Sequence, residues 1–306
     1  MGKTYIFGHK NPDTDSITSS IVMANFEKAL GNNEAVACRL GMINKETEYV
    51  LNYAGVEAPE LIEDLEDGAE VVIVDTANPG ELISNLSNVK IKRVVDHHQV
   101  LLNTSYPIFY RAETVGCTET IMYKLYKEYG VEIDKKIAIL MLSAIISDTL
   151  LFKSPTCTEE DKMVAEKLAD IAGIDIETYG LDMLKAGTDL SSFTIDEILN
   201  IDAKAIELKN VKSIIAQVNT ASIPDVMKMK ADLEEGMNKI INERGLDIFM
   251  LLITDIINSD TQTIALGSRA DIVEKAYGVK LEDNTALLKG VVSRKKQVVP
   301  IMTENA

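Results

Sequence analysis

Three short apolar runs in the first hundred residues each stop abruptly on a histidine or an aspartate. Tyr5-Ile6-Phe7 leads through Gly8 to His9, Val71-Val72-Ile73-Val74 leads to Asp75, and Val94-Val95 leads to Asp96-His97-His98. An unbroken β-branched run with no polar alternation is the pattern of a strand buried on both faces. Between these runs lie helical patterns, Ile17–Leu30 closed by Gly31 and Glu46–Ala54 closed by Gly55. Strands that alternate with helices in this way fold as a parallel, doubly wound α/β sheet. In such sheets the carboxyl ends of the strands open on one crevice, where ligands bind. The three polar clusters are therefore expected along a single sheet edge.

The rest of the chain extends this pattern. Lys3–Gly8, Ala35–Leu40 and a run from Lys90 read as strands, and Gly116–Tyr129, Lys135–Thr149 and Thr158–Ala172 read as helices, the last capped by Thr158. The small, polar stretch Ala186–Ser192 marks a boundary. It divides the 306 residues into an expected domain at 1–187 and a smaller α/β domain at 195–306, joined by a linker at 188–194. Beyond it, strands are expected near Ser213–Val218 and Ile248–Thr254, a charged helix over Ile223–Arg244, and a last β-like run at Leu288–Val292.

Charge and cysteine usage exclude several classes. A net charge of −17 disfavours nucleic acid as a partner. Cys38, Cys117 and Cys157 are odd in number and far apart, which argues against a disulfide framework or a structural zinc site and fits a reducing cytoplasm. The opening Met1-Gly2-Lys3-Thr4-Tyr5-Ile6-Phe7 lacks a long apolar region, so no secretory signal is expected. Ile137–Ile146 is too short to span a bilayer, so no membrane partner is expected either.

All three histidines of the chain sit among aspartates: His9 in His9-Lys10-Asn11-Pro12-Asp13-Thr14-Asp15, and His97 and His98 behind Asp96. Asp148 closes a mostly apolar helix, where an unpartnered charge would be costly. Imidazole combined with several carboxylates suits manganese, cobalt or zinc, whereas magnesium prefers oxygen alone. Asp13 and Asp15, two residues apart in an irregular loop, would serve two neighbouring ions, an arrangement suited to phosphoryl hydrolysis. Each element also has an ordinary explanation. Asp15 would cap a helix starting near Ser16, Asn11-Pro12-Asp13 would form a turn, Asp75 would open a loop, and Asp148 would be a satisfied buried acid. Their joint occurrence favours the metal. Near the end, Ser293-Arg294-Lys295-Lys296 reads either as a solvated basic edge or as an anion clamp.

These residues together resemble the family II, manganese-dependent inorganic pyrophosphatases of the DHH phosphoesterase superfamily, over essentially the whole chain. His9-Lys10-Asn11-Pro12-Asp13-Thr14-Asp15 is similar to the family's opening motif, and Asp96-His97-His98 to the motif that names the superfamily. Ser147-Asp148-Thr149 with Phe152-Lys153-Ser154-Pro155-Thr156 is similar to a fourth segment, and Ser293-Arg294-Lys295-Lys296-Gln297 to the C-terminal signature. The resemblance implies a DHH domain followed by a DHHA2-type substrate-binding domain, with the active site in the cleft between them. It implies hydrolysis of pyrophosphate to two phosphates by a metal-activated water. The implied ligands are His9, Asp13, Asp15, Asp75, His97 and Asp148, with Asp75 bridging two ions. His9 and Asp13 would lie on one side, and Asp15, His97 and Asp148 on the other. His98, Lys204, Arg294 and Lys295 would bind pyrophosphate. Two manganese or cobalt ions per subunit, magnesium accompanying substrate, and a cytoplasmic homodimer formed through the N-terminal domain are also implied.

One segment departs from the pattern. Many relatives read Asp-His-Asn from the bridging aspartate, whereas this chain reads Asp75-Thr76-Ala77-Asn78. The bridging residue is kept, and the change bears on metal affinity. There is no room for a nucleotide-binding CBS insert between Gly55 and Asp75. The alternative within the superfamily is hydrolysis of oligonucleotides or longer polyphosphates. Such nucleases often carry a Gly-Gly-Gly-His segment in the second domain, and no histidine of this chain lies there.

Overall fold

The structure, a computed structural model, describes residues 2–306; Met1, where the expected first domain opens, lies outside them. The chain divides into two compact units, Met1–Gly187 and Thr188–Ala306. Residues 188–194 fall within the second unit, where the Thr188 hydroxyl oxygen accepts the Ala221 N–H at 2.9 Å.

The first unit runs β1 (Thr4–Phe7), α1 (Thr14–Ala29), β2 (Ala35–Arg39), α2 (Lys45–Ala54), β3 (Glu60–Leu61), β4 (Glu70–Val74), β5 (Lys90–Asp96) and β6 (Phe109–Ala112). Four helices follow: α3 (Thr118–Tyr129), α4 (Lys135–Asp148), α5 (Glu159–Ala172) and α6 (Ile176–Gly187). The six strands lie in the order β3-β2-β1-β4-β5-β6, and every neighbouring pair is parallel. This is the expected doubly wound sheet. Its winding reverses between β1 and β4, and that switch point is where such sheets bind ligands. His9 follows β1 and Asp75 follows β4, so the two polar clusters leave the sheet on either side of it.

Local chemistry accounts for these positions. The last four residues of β4 are buried, as an unbroken Val-Val-Ile-Val run requires. Asp13, not Asp15, caps α1, its carboxylate accepting the Ser16 N–H at 3.0 Å. The helix therefore starts at Thr14, and Asp15 sits in its first turn rather than in an irregular loop. A Cβ at Gly8 would lie 2.1 Å from the Ser16 hydroxyl, so the turn from β1 into α1 requires glycine. The strands β3 and β6 were not expected, because β3 has two residues and β6 is an edge strand without an apolar run.

The second unit runs α7 (Ile195–Asn200), β7 (Ala203–Leu208), β8 (Val211–Thr220), α8 (Ile223–Met227), α9 (Lys230–Arg244), β9 (Ile248–Asp255), β10 (Asp260–Leu266), α10 (Asp271–Tyr277), β11 (Thr285–Leu288) and α11 (Val299–Asn305). Its sheet has the order β11-β10-β9-β8-β7, with β8–β9 parallel and the remaining pairs antiparallel. All eight residues of β9 are buried. Phe249, Leu251 and Ile253 pack with Leu233 and Met237 of α9, whereas Ile248, Met250 and Leu252 pack with Ile272 of α10 and Met302 of α11. Alternate side chains thus serve opposite faces, and helices cover both.

Two expectations here need correction. The charged helix is broken at Lys228–Met229 into α8 and α9. The last strand is Thr285–Leu288 rather than Leu288–Val292, because Gly290 turns the chain in the left-handed region (φ 69°) and donates its N–H to Asp260.

Candidate metal centre

The centre is built almost entirely by the ends of three adjacent parallel strands. His9 and Asp13 lie between β1 and α1, Asp75 directly follows β4, and His97 and His98 directly follow β5. Asp148 arrives separately, as the last residue of α4. Ligand atoms of His9, Asp13 and Asp75 lie within 4.8 Å of one another, and so do those of Asp15, Asp75, His97 and Asp148. Asp75 belongs to both groups. His9 Nε2 stands 3.4 Å from Asp75 Oδ2 and 3.6 Å from Asp13 Oδ1. His97 Nε2 stands 3.5 Å from both Asp75 Oδ1 and Asp148 Oδ2, and 3.9 Å from Asp15 Oδ2.

The backbone at Asp75 is unusual for a residue with a side chain. Its φ of 60° is left-handed, and its N–H still bonds Val95 O at 2.9 Å. Such conformations concentrate at functional sites, where surrounding structure holds them. The carboxylates are held by the start of α3. Asp15 Oδ2 accepts the Thr118 N–H at 2.7 Å and the Cys117 thiol at 3.1 Å, while Ser19 donates to its Oδ1 at 2.8 Å. The Thr118 hydroxyl donates to Asp75 Oδ1 at 3.0 Å.

Burial and charge oppose each other throughout the cluster. Burial would lower the His9 pKa, but the Asp13 and Asp75 carboxylates overcome it and raise it to about 10. Burial likewise opposes protonation of His97, which Asp75 and Asp15 raise to about 9. Asp15 is pushed up to about 7 by burial and by the Asp75 charge, and Asp148 well above the carboxylate range by burial, Asp15 and Asp75. Asp75 is held below the usual range by His9 and His97 despite its burial.

The residues fit a divalent transition metal. Asp75 Oδ2 and His97 Nε2 are buried with no hydrogen-bond partner among the described residues, although their surroundings are polar. Such orphaned donor atoms are uncommon and call for a ligand. His97 Nδ1 lies 3.0 Å from Val115 O, an outer contact that turns Nε2 toward the carboxylates. Imidazoles with carboxylates are the donor set that manganese, cobalt and zinc accept.

His98 lies beside the cluster, with Nδ1 3.1 Å from Asp96 Oδ1 and 3.6 Å from Asp75 Oδ1. It shares with His9, Asp75 and Thr76 the wall of an open pocket of about 390 Å³. The other candidates belong to the second unit. Lys204 is exposed on β7, and Lys295 is exposed in the single π-helical turn Arg294–Val298. Arg294 is engaged within the unit: its guanidinium pairs with Asp202 Oδ1 at 2.8 Å and bonds the Asp202 carbonyl. It also reaches Ile215 O at 3.4 Å, and Ile215 is the register partner of Lys204.

Two contributors to the first-unit site, and a buried acid next to one of them in the chain, carry no signal in the sequence. Glu46, on α2, accepts from Thr14 at 2.6 Å and from Ser147, tying together the residues that precede Asp15 and Asp148. Thr118 contacts two candidate ligands. Glu119 is wholly buried, neither of its oxygens has a hydrogen-bond partner among the described residues, and burial raises its pKa well above the usual range. A glutamate near the start of an amphipathic helix carries no signal that distinguishes it from a solvent-facing one.

Comparisons with known proteins agree with this arrangement. Family models for the DHH family N-terminal domain and the DHHA2 domain match residues 3–145 and 181–305. Over 306 residues the chain is 52% identical to the manganese-dependent inorganic pyrophosphatase of Bacillus subtilis, covering 99% of both chains. It is 53% identical, at the same coverage, to the probable manganese-dependent inorganic pyrophosphatase of Bacillus pumilus. A crystal structure from Methanococcus jannaschii, assigned to the family II inorganic pyrophosphatases, matches 99% of both chains at 40% identity with a TM-score of 0.64. With this agreement along its whole length, the chain belongs to the family II, manganese-dependent inorganic pyrophosphatases.

Proposed function

We propose that the chain hydrolyses inorganic pyrophosphate to two phosphates with two divalent ions per subunit, manganese or cobalt, and with magnesium accompanying the substrate. The observation that carries the proposal is Asp75, a buried carboxylate shared by two groups of ligand atoms, one of whose oxygens accepts no hydrogen bond among the described residues. His9, Asp13 and Asp75 would hold one ion, and Asp75, Asp15, His97 and Asp148 the other. When bound, the metal lowers the pKa of its water and draws charge from phosphoryl oxygens. Asp13, Asp15, Asp75 and Asp148 carry four negative charges when ionised, which two divalent ions balance. The substrate's own charge therefore falls to the protein's cations.

His98, Lys204, Arg294 and Lys295 are assigned to that task. Asp96 supports His98, whose pKa it raises, so His98 is able to present a proton to a phosphate oxygen. Lys204 and Lys295 form no ion pair among the described residues and stay available for an anion. Arg294 would share its planar fork between Asp202 and phosphate. The work divides between a DHH domain at 1–187, which holds the metals, and a DHHA2-type domain at 195–306, which supplies the cations, with 188–194 linking them. A cytoplasmic homodimer formed through the first domain, without nucleic-acid or membrane partners, completes the proposal. The charge of −17 supports the exclusion of nucleic acid; no described helix is long and apolar enough to cross a membrane.

The test is phosphate release from chelator-stripped protein, resupplied with manganese, cobalt or magnesium, on pyrophosphate, tripolyphosphate and a short oligonucleotide. Manganese or cobalt should restore activity on pyrophosphate. Equal activity in magnesium alone overturns the transition-metal assignment, and preference for either other substrate overturns the pyrophosphatase.

A further inference from the structure

We infer that Thr118 is a positioning residue that sets the rotation of the shared Asp75 carboxylate, so that each oxygen faces one half of the metal centre. The inference rests on the two-ion reading above and deepens it.

Asp75 Oδ1 is the oxygen 3.5 Å from His97 Nε2, and Oδ2 is the oxygen 3.4 Å from His9 Nε2. Torsion about the bond carrying a carboxylate is broad and roughly two-fold, so an aspartate alone does not hold such a division. The Thr118 hydroxyl breaks the symmetry: it donates to Oδ1 at 3.0 Å, while Oδ2 has no hydrogen-bond partner among the described residues. Oδ2 thereby keeps its lone pairs for the His9–Asp13 half.

The donor is rigidly mounted. Thr118 is wholly buried, and its N–H is committed to Asp15 Oδ2 at 2.7 Å. Two residues before it, Gly116 N–H bonds Asp161 Oδ2 at 2.9 Å, and two residues after it, the Thr120 hydroxyl bonds Asp161 Oδ1 at 2.6 Å. One buried carboxylate on α5 thus anchors the chain on both sides of Thr118. A Cβ at Gly116 would come within 2.9 Å of both Asp161 Oδ2 and Thr149 Cγ2, so the close approach is specific to glycine. Through this one residue, the start of α3 orients a carboxylate from α1 and another from the end of β4.

The test uses Thr118→Val, which keeps shape and removes the hydroxyl, and Thr118→Ser, which restores it. Manganese binding to the chelator-stripped full chain is measured by calorimetry, and the loaded protein is examined by electron paramagnetic resonance. Thr118→Val should weaken manganese binding by about tenfold, the usual scale for losing an outer hydrogen bond to a ligand. It should also alter the signal of the coupled manganese pair. Thr118→Ser should stay within about twofold of the parent. Loss of packing alone cannot give this pattern, because serine leaves the larger void. If valine prevents folding, Thr118→Ala is titrated instead, with the same tenfold loss expected. A hydroxyl-free variant that binds manganese like the parent, or a serine variant as impaired as the hydroxyl-free one, overturns the inference. A parent that binds no manganese overturns the proposed function as well, whereas silent variants overturn only the role of Thr118.

Discussion

Asp75→Asn removes one negative charge from the point where the two ligand groups meet and leaves the shape intact. The backbone there is left-handed, which asparagine tolerates better than most residues, so the fold should survive. At the 3.4–3.5 Å that separate Asp75 oxygens from the His9 and His97 nitrogens, a unit charge pair at an effective dielectric near 20 is worth about 5 kcal/mol. An amide oxygen retains part of a cation's attraction; taking about half as lost gives roughly 2.5 kcal/mol per ion, or about 70-fold in affinity. The loss should be unequal. Thr118 donates to Oδ1, so the amide carbonyl should turn toward it and place the NH2 group beside His9, a donor where the ion needs an acceptor. The His9–Asp13 side should therefore weaken more. Calorimetric manganese titration should resolve two weakened sites, the one on the His9–Asp13 side losing more. Pyrophosphate turnover should fall by at least about 100-fold. Manganese affinity within about threefold of the parent at both sites would refute the shared role of Asp75.

Three further outcomes are expected. Arg294→Ala should leave manganese binding intact, weaken pyrophosphate use by about 2–4 kcal/mol, and destabilise the fold by about 1 kcal/mol because Asp202 loses its partner; kinetics unchanged from the parent would remove the anion role. Thr76 donates to Glu81 and accepts from Asn78, and Thr76→His, which breaks both contacts while adding an imidazole at the pocket wall, should change manganese affinity by about tenfold; an unchanged titration would mark the threonine as neutral. Metal-free protein should lose stability as pH rises. The stabilisation from His9 and His97 is complete below their ordinary pKa of 6.5 and is lost toward their folded values of about 10 and 9, and Asp15, raised to about 7, acts in the same direction at lower pH. The opposite contribution of Asp75 is complete by about pH 5, so chelator-treated protein should melt at least about 5 °C lower at pH 9 than at pH 6.5. A melting temperature flat across that window would show that these histidines do not face the carboxylates.

The strands that carry the centre were legible because burial on both faces leaves a plain mark. Val71–Val74 has no polar residue, and its polarity changes abruptly at Asp75. What holds the ligands in place was not legible. Glu46 and Thr118 belong to helices whose sequences read as ordinary amphipathic surface, and their significance depends on contacts with residues 32 to 103 positions away. Edge strands such as β6 were missed for a related reason. They are half-exposed and owe their existence to a neighbour, not to their own composition. Arg294 was legible as a cation, but its engagement with Asp202 depends on a sheet that brings together residues 92 positions apart.

All six candidate ligands fall within Met1–Gly187, and none within Thr188–Ala306. A ligand that binds only the folded state stabilises it by mass action, by about 2.7 kcal/mol when present at 100 times its dissociation constant. Manganese scarcity would therefore weaken the two units unequally. The first would open more often, exposing the buried Val71–Val74 strand to proteases, while the second would keep its intrinsic resistance. Turnover of the polypeptide would then follow metal supply, and the abundance of the enzyme would track the ion it needs.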